Sequence, residues 1–232
     1  MPAPITVVIP TLNAAETLPA TAATLMPGLT EGLIAGLVVS DGGSTDETRL
    51  IARDLGATIV EGPPGRGGQI ARGVATVKAP WCLILHADTR LSPDWVGAAA
   101  DHLLRHPDRA GFFRLAFDSA RLAARVIEGG ANLRARRLGL PFGDQGLLIS
   151  RDLLARVGGI PDHPLMEDVA LARALKGRLR PLDATATTSF ARYERDGPIR
   201  RALDNLALQA RYRLGARPED LARRYDRSSS EN

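Results

Sequence analysis

Cysteine is almost missing: the 232 residues hold one, Cys82, inside an apolar run. A single thiol closes no disulfide and cannot build a cysteine zinc site, so a buried core thiol is the reading left. Aromatics make up only 4% and do not interleave with the basic residues. That removes the stacking platform single-stranded nucleic acid needs, and no nucleic-acid partner is predicted. Lysine is scarce too, since Lys78 and Lys176 are the only two among 30 basic residues. No apolar stretch approaches the roughly 20 residues of a membrane span, and no secretory signal pattern opens the sequence. A cytoplasmic protein is expected.

What is present is an ordinary globular composition, 44% hydrophobic and 24% charged, with a net charge of +4 and a pI near 9.8. The arginine excess reflects either codon composition or attraction to phosphates on a nucleotide, an anionic lipid or nucleic acid. Charge alone does not choose between them. No internal repeat or domain boundary is visible, and the length suits one α/β domain.

Short β-branched or apolar runs alternate with helical patterns, the signature of βαβ units and a mainly parallel central sheet flanked by helices. Strands are predicted at 5–9, 33–39, 57–60, 81–85, 112–117 and 146–150. Helices are predicted at 14–26, from about 46, after 69, and at 93–106, 119–137, 151–157, 167–175 and 199–214. Pro27 and Gly28 are expected to end the first helix, and Gly62 to Gly68 to form a loop. The Ser-rich tail 227–232 is expected to be disordered.

The pattern pivots on Leu83–Leu91, L-I-L-H-A-D-T-R-L, where an apolar run stops at a histidine and a carboxylate. In an open α/β sheet ligands bind outside the carboxyl ends of the strands. Asp88 at such an end is free to hold a hard cation, and magnesium is commonly held by one or two carboxylates plus substrate phosphates. His86 is a second ligand, a phosphate donor or a satisfied core histidine. Asp41, ending the second strand, either accepts the N3–H of a uracil or thymine ring or organises its own Asp-Gly turn. Asp46 and Glu47 are explained by the helix dipole. In Gly65-Arg66-Gly67-Gly68-Gln69 the glycines either expose N–H groups to a phosphate at a helix start, with Arg66 as cation, or form a plain surface loop. The loop fits neither the P-loop nor the dinucleotide fingerprint. Glu167-Asp168 opens a helix, as dipole complement or as a general base. Phe142-Gly143-Asp144-Gln145 shapes the same pocket or is an ordinary turn.

Taken together, V-V-I-P-T-L-N, V-V-S-D-G-G-S-T-D-E-T, L-I-L-H-A-D-T, F-G-D-Q-G and M-E-D-V-A-L-A-R resemble the family-two glycosyltransferases of the GT-A fold over residues 5 to 190. More narrowly they resemble a small single-domain bacterial group associated with radical-SAM and selenodomain proteins. The resemblance implies a single Rossmann-like GT-A domain, with a nucleotide-binding half near 1–92 and an acceptor half near 93–226. It implies inverting, non-processive transfer of one sugar from a nucleotide-diphosphate sugar, UDP favoured. Pro10, Thr11 and Asn13 would line the nucleotide pocket with Asp41 on the base, joined by Arg66 and Gln69. Asp88, with His86 where a first aspartate is usual, would hold Mn2+ or Mg2+. Asp168 would be the base, with Glu167 second, and Asp144 and Gln145 would line the sugar or acceptor pocket. The acceptor is unknown, with a lipid-linked one in view because the basic helix near 199–217 carries Leu203, Leu206 and Leu214 and suits an anionic membrane face. The expectation weighed as stronger is that these leucines pack on the domain. A sugar-phosphate nucleotidyltransferase is the first rival, but Pro-Thr-Leu-Asn follows the first strand where a glycine-rich triphosphate loop would be needed. A non-catalytic nucleotide-sugar-binding protein is the second.

Overall fold

A computed structural model describes residues 2–218, 220 and 221; the expected disordered tail at 227–232 lies outside them. Eight strands form one sheet. They are β1 (Ile5–Thr11), β2 (Ile34–Asp41), β3 (Thr58–Glu61), β4 (Trp81–Ile84), β5 (Arg90–Leu91), β6 (Ala110–Phe117), β7 (Leu147–Ser150) and β8 (Leu179–Thr188). Their order is β3-β2-β1-β4-β7-β6-β8-β5. The first four are mutually parallel, β7 is antiparallel to both β4 and β6, and β6 runs parallel to β8. The strand order reverses between β1 and β4. A crevice opens outside the ends of these two strands.

β1 is buried on both faces, as a β-branched run between helices should be. It continues through Pro10 rather than stopping before it. The Val8 carbonyl faces β4, accepting from Leu85 N at 3.1 Å, and Pro10 faces the same side two residues on, where β4 has ended. Its missing donor therefore costs no ladder bond. The expected first helix divides into α1 (Leu18–Ala23) and α2 (Met26–Thr30). Pro27 sits in the first turn of α2, where its lack of an N–H is harmless, so it opens a helix rather than ending one. Gly28 is needed there, because a Cβ would stand 2.5 Å from the ring of the buried Trp95.

Helix α3 (Thr48–Asp54) is preceded by Asp46, whose Oδ1 accepts from Thr48 N at 3.0 Å and whose Oδ2 accepts from Ala15 N at 3.0 Å. Helix α4 (Arg66–Ala75) starts inside the expected loop. Gly67 and Gly68 are helical for a packing reason: a Cβ on Gly67 would lie 2.4 Å from the Pro161 carbonyl oxygen.

Beyond β4 come α5 (Trp95–Arg105), α6 (Leu122–Leu138), α7 (Arg151–Arg156), α8 (Glu167–Ala174), α9 (Ala191–Asp196) and α10 (Pro198–Arg213). Gly129 and Gly130 leave α6 unbroken, because its buried positions Ala124, Glu128, Ala131 and Ala135 keep one stripe against the sheet. β6 meets β7 only at Gly111 and Leu148. Past that point side chains take the place of a strand. Gln145 Nε2 donates to Phe113 O at 3.1 Å, Asn132 exchanges two bonds with Leu115 at 2.9 and 3.0 Å, and Glu128 accepts from Phe117 N at 2.6 Å. These side chains satisfy the β6 backbone where β7 no longer pairs with it.

Candidate active site

At the ends of β1 and β2 the turn is held by a dense set of hydrogen bonds. Asp41 is fully buried, and its two oxygens accept from Thr11 Oγ1 at 3.0 Å, Ser44 Oγ at 2.5 Å, Ser44 N at 2.8 Å and Gly43 N at 3.0 Å. Burial alone would raise its pKa, but the Ser44, Thr11 and Gly43 donors outweigh that and hold it below the usual carboxylate range. Asn13, at φ 50°, accepts from Thr45 N at 2.9 Å through its side-chain oxygen. Gln69 is buried and ties the segments together, donating to Thr11 O at 2.7 Å and Ser40 O at 3.1 Å.

Asp41 and Gln69 are thus buried and bonded to the protein around this turn. Of the glycine N–H groups expected at the helix start, Gly65 N donates to Gln69 Oε1 at 3.2 Å and Gly67 N to His163 O at 3.1 Å. Of the three residues expected to line a nucleotide pocket from the end of β1, Pro10 and Asn13 retain accessible surface, while Thr11 is buried.

The second cluster lines a cleft of about 590 Å³ bounded by β6, α6, α8, α9 and α10. Arg66, His86, Asp88, Asp144 and Asp168 all reach it, from four stretches of chain. β4 ends at Ile84, so His86 and Asp88 stand on the loop beyond it rather than on a shared strand face. Asp88 is half-buried and has no hydrogen-bond or ion-pair partner among the described residues. Asp168 is fixed in place: Oδ2 accepts from Gly143 N at 2.9 Å and Oδ1 from Val169 N at 2.7 Å. Gly143 has to be glycine, since a Cβ would stand 2.4 Å from His86 Nε2 and 3.6 Å from Asp168 Oδ2. One missing side chain brings the histidine and the carboxylate together.

Asp144 also faces the cleft, with Oδ1 enclosed and unbonded among the described residues. Burial first, then the negative charges of Asp168 and Asp88, push its pKa up to about 6 despite Arg134 and Arg66. Glu167 is buried behind Asp168, on a neighbouring cavity of about 50 Å³. Its oxygens find no hydrogen bond, and its one ionic contact is Arg66 Nε at 3.6 Å. Burial and the adjacent Asp168 raise it to about 7. Glu167 does not line the main cleft, whereas Asp168 does. Gln145 is fully buried, braces β6 and lines neither of these two cavities.

The residue before this pair, Met166, is buried at φ 67° in the left-handed region. Asn13 and Met166 are the two non-glycine residues at positive φ among those described, and each leads into one of the two clusters. Backbone strain of this kind collects where function over-determines geometry. Sequence reasoning missed Arg134, which lies over the Phe142 ring at 3.4 Å from its centroid and lines the cleft. It also missed Tyr193, Arg201 and Asn205 on the far wall. An arginine about one turn from the end of an arginine-rich helix carries no motif, so nothing in its spacing could have singled it out.

An open α/β sheet with carboxylates beyond the ends of its central strands defines a nucleotide-binding class of fold. The sequence profile described as Glycosyl transferase family 2 matches residues 6–148, and the chain belongs to that family. It is 36% identical over 92 residues to the glycosyltransferase AglJ of Haloferax volcanii, covering 38% of this chain and 29% of that one. It is 39% identical over 85 residues to an uncharacterized glycosyltransferase of Mycobacterium tuberculosis, covering 36% of each. The matches thus span about a third of these relatives. Among solved structures, glucosyl-3-phosphoglycerate synthase of M. tuberculosis, in complex with Mn2+, UDP and glucosyl-3-phosphoglycerate, superposes with a TM-score of 0.56 at 23% identity over 80% of this chain and 70% of that one. S. aureus TarS gives 0.63 at 16% identity over 82% and 60%. Both share the fold.

Proposed function

We propose that this protein moves one sugar from a nucleotide-diphosphate sugar, UDP favoured, to an acceptor hydroxyl with inversion at the anomeric carbon. The observation that carries the reading is that Asp88 and Asp168, eighty residues apart in sequence, line one cleft beside the strand-end crevice. Residues 1–92 serve the donor and 93–226 the acceptor. Pro10, Asn13 and Arg66 are the accessible donor contacts; Thr11, Asp41 and Gln69 act by fixing the turn beneath them.

The residues present fit a divalent cation of one kind. No group of three or more His, Cys, Asp or Glu residues among those described could cage a metal. A half-buried, unpaired Asp88 instead suits magnesium or manganese completed by substrate phosphates and water, with His86 beside it. When bound, the cation would neutralise charge on the departing diphosphate. Asp168, held by Gly143 N and Val169 N, takes the acceptor proton. The solved relative's complex with Mn2+ and UDP supports the choice of cation and of a uridine nucleotide. No described helix is long and apolar enough to cross a membrane. A cytoplasmic enzyme touching the inner membrane face completes the reading.

Thermal melting with a panel of nucleotide sugars, with and without Mn2+, tests this directly. A ligand at 100 times its Kd adds about 2.7 kcal/mol of apparent stability. UDP-sugars should raise the melting temperature only with the cation. A panel that shifts nothing contradicts the reading.

A further inference from the structure

The cleft is amphipathic along its length. Its inner end holds Asp88, Asp144 and Asp168, whereas its outer walls are Leu115, Phe117, Ile127, Leu165 and Leu208. It opens between α6 and α10, where the lining residues Val126, Leu138 and Leu206 are 66, 61 and 56% exposed. A sugar or a phosphorylated small metabolite offers nothing for such a rim to bind.

The surface around that mouth repeats the pattern. Leu122, Val126 and Leu133 fall at i, i+4 and i+11, one stripe along α6, and all three are exposed. Leu203 and Leu206 do the same on α10, and Leu214 just beyond it is 88% exposed. The expectation that these leucines pack on the domain is therefore corrected: α10 seats itself through Leu208 and Gln209 instead. α6 carries four arginines against one glutamate, and α10 four against one aspartate. Arg136, Arg137, Arg200 and Arg211 are exposed around the apolar residues. Apolar side chains ringed by arginine match an anionic bilayer surface, which takes up the first and attracts the second.

We propose that the acceptor is a membrane lipid, its hydroxyl-bearing head at Asp168 and its hydrocarbon chain along the apolar wall between α6 and α10. The assignment rests on the transferase reading above and adds the class of acceptor to it. In the transfer, the lipid hydroxyl oxygen bonds to the anomeric carbon as the bond from that carbon to the diphosphate breaks. The hydroxyl proton passes to Asp168, and the nucleoside diphosphate leaves with the bonding pair. The two helices rest on an anionic leaflet, so the lipid enters the cleft without its chain crossing water.

Two probes that need no nucleotide test this. The full chain is sedimented with vesicles of phosphatidylcholine alone and of phosphatidylcholine mixed with phosphatidylglycerol. It should bind the mixed vesicles only, more weakly as salt rises. The double variant Arg136→Gln, Arg137→Gln should lose roughly tenfold or more in affinity. Second, hexyl, octyl and decyl glucoside are titrated below their micellar concentrations. Affinity should climb roughly fourfold per methylene, and the slope should flatten in Val126→Asp, Leu206→Asp, whose changes sit at exposed positions; a melting curve checks that this variant is folded. Failure to bind mixed vesicles, or a flat glucoside series in the unaltered protein, overturns the proposal in favour of a water-soluble acceptor. A protein that passes both tests yet binds no UDP would sink the donor reading and leave the lipid site standing.

Discussion

Two acidic clusters lie at neighbouring strand ends and differ in one respect. Around Asp41 the protein supplies four donors to two carboxylate oxygens, and the group is sealed and held ionised. Around Asp88, Asp144 and Glu167 it supplies almost none, and burial holds the last two above their usual range. A buried polar group without partners is costly, so such a cluster persists where a ligand supplies what the protein withholds. The first region is a finished frame. The second is an unfinished site, and the difference separates structure from chemistry more sharply than the shared residue type does.

The contrast can be broken by mutation. The largest effect is expected for Asp168→Asn, which should cut turnover by about 10²- to 10⁴-fold, the usual contribution of a general base. UDP affinity by calorimetry should stay as it was, and wild-type turnover would remove Asp168 from the role. Next comes Asp41→Ala, which strands several buried donors and should cost about 3 kcal/mol or more in urea unfolding. The same change at Asp88, made where nothing in the protein is bonded to it, should stay within about 0.5 kcal/mol. Equal losses at the two positions would erase the distinction drawn here.

A smaller effect concerns pH. Glu167 titrates near 7 in the folded protein and Asp144 near 6, both above their unfolded values of 4.5 and 3.8. Between those limits the folded state holds more protons than the unfolded chain, so stability falls as pH rises from about 4 to about 7 and then levels. Glu167→Gln should flatten much of that slope in melts taken at pH 5 and pH 8. An unchanged slope would mean Glu167 is not the buried acid responsible. Gly143→Ala must push His86 aside and should cost about 1–3 kcal/mol, with a loss of activity that exceeds the loss of fold.

Much of this was readable in the chain. The βαβ rhythm and the acids at strand ends follow from apolar runs and the residues that stop them, signals local enough to see. β8 was not, because Pro181 interrupts it and its buried residues Leu182, Ala184, Ala186 and Thr188 are small and alternate with polar ones. Nor were the backbone partners of Gln69 and Gln145, carbonyls 29 to 58 residues away, because a motif does not record them. The cleft itself is walled by β6, α6, α8, α9 and α10, elements far apart in sequence that share no period.

Titration of UDP into the unaltered protein and into Asp88→Ala, with and without Mn2+, tests the central claim most directly. The account predicts tight, cation-dependent binding in the first and weak binding in the second, whatever the cation concentration. Equal, cation-independent binding in both proteins would contradict it.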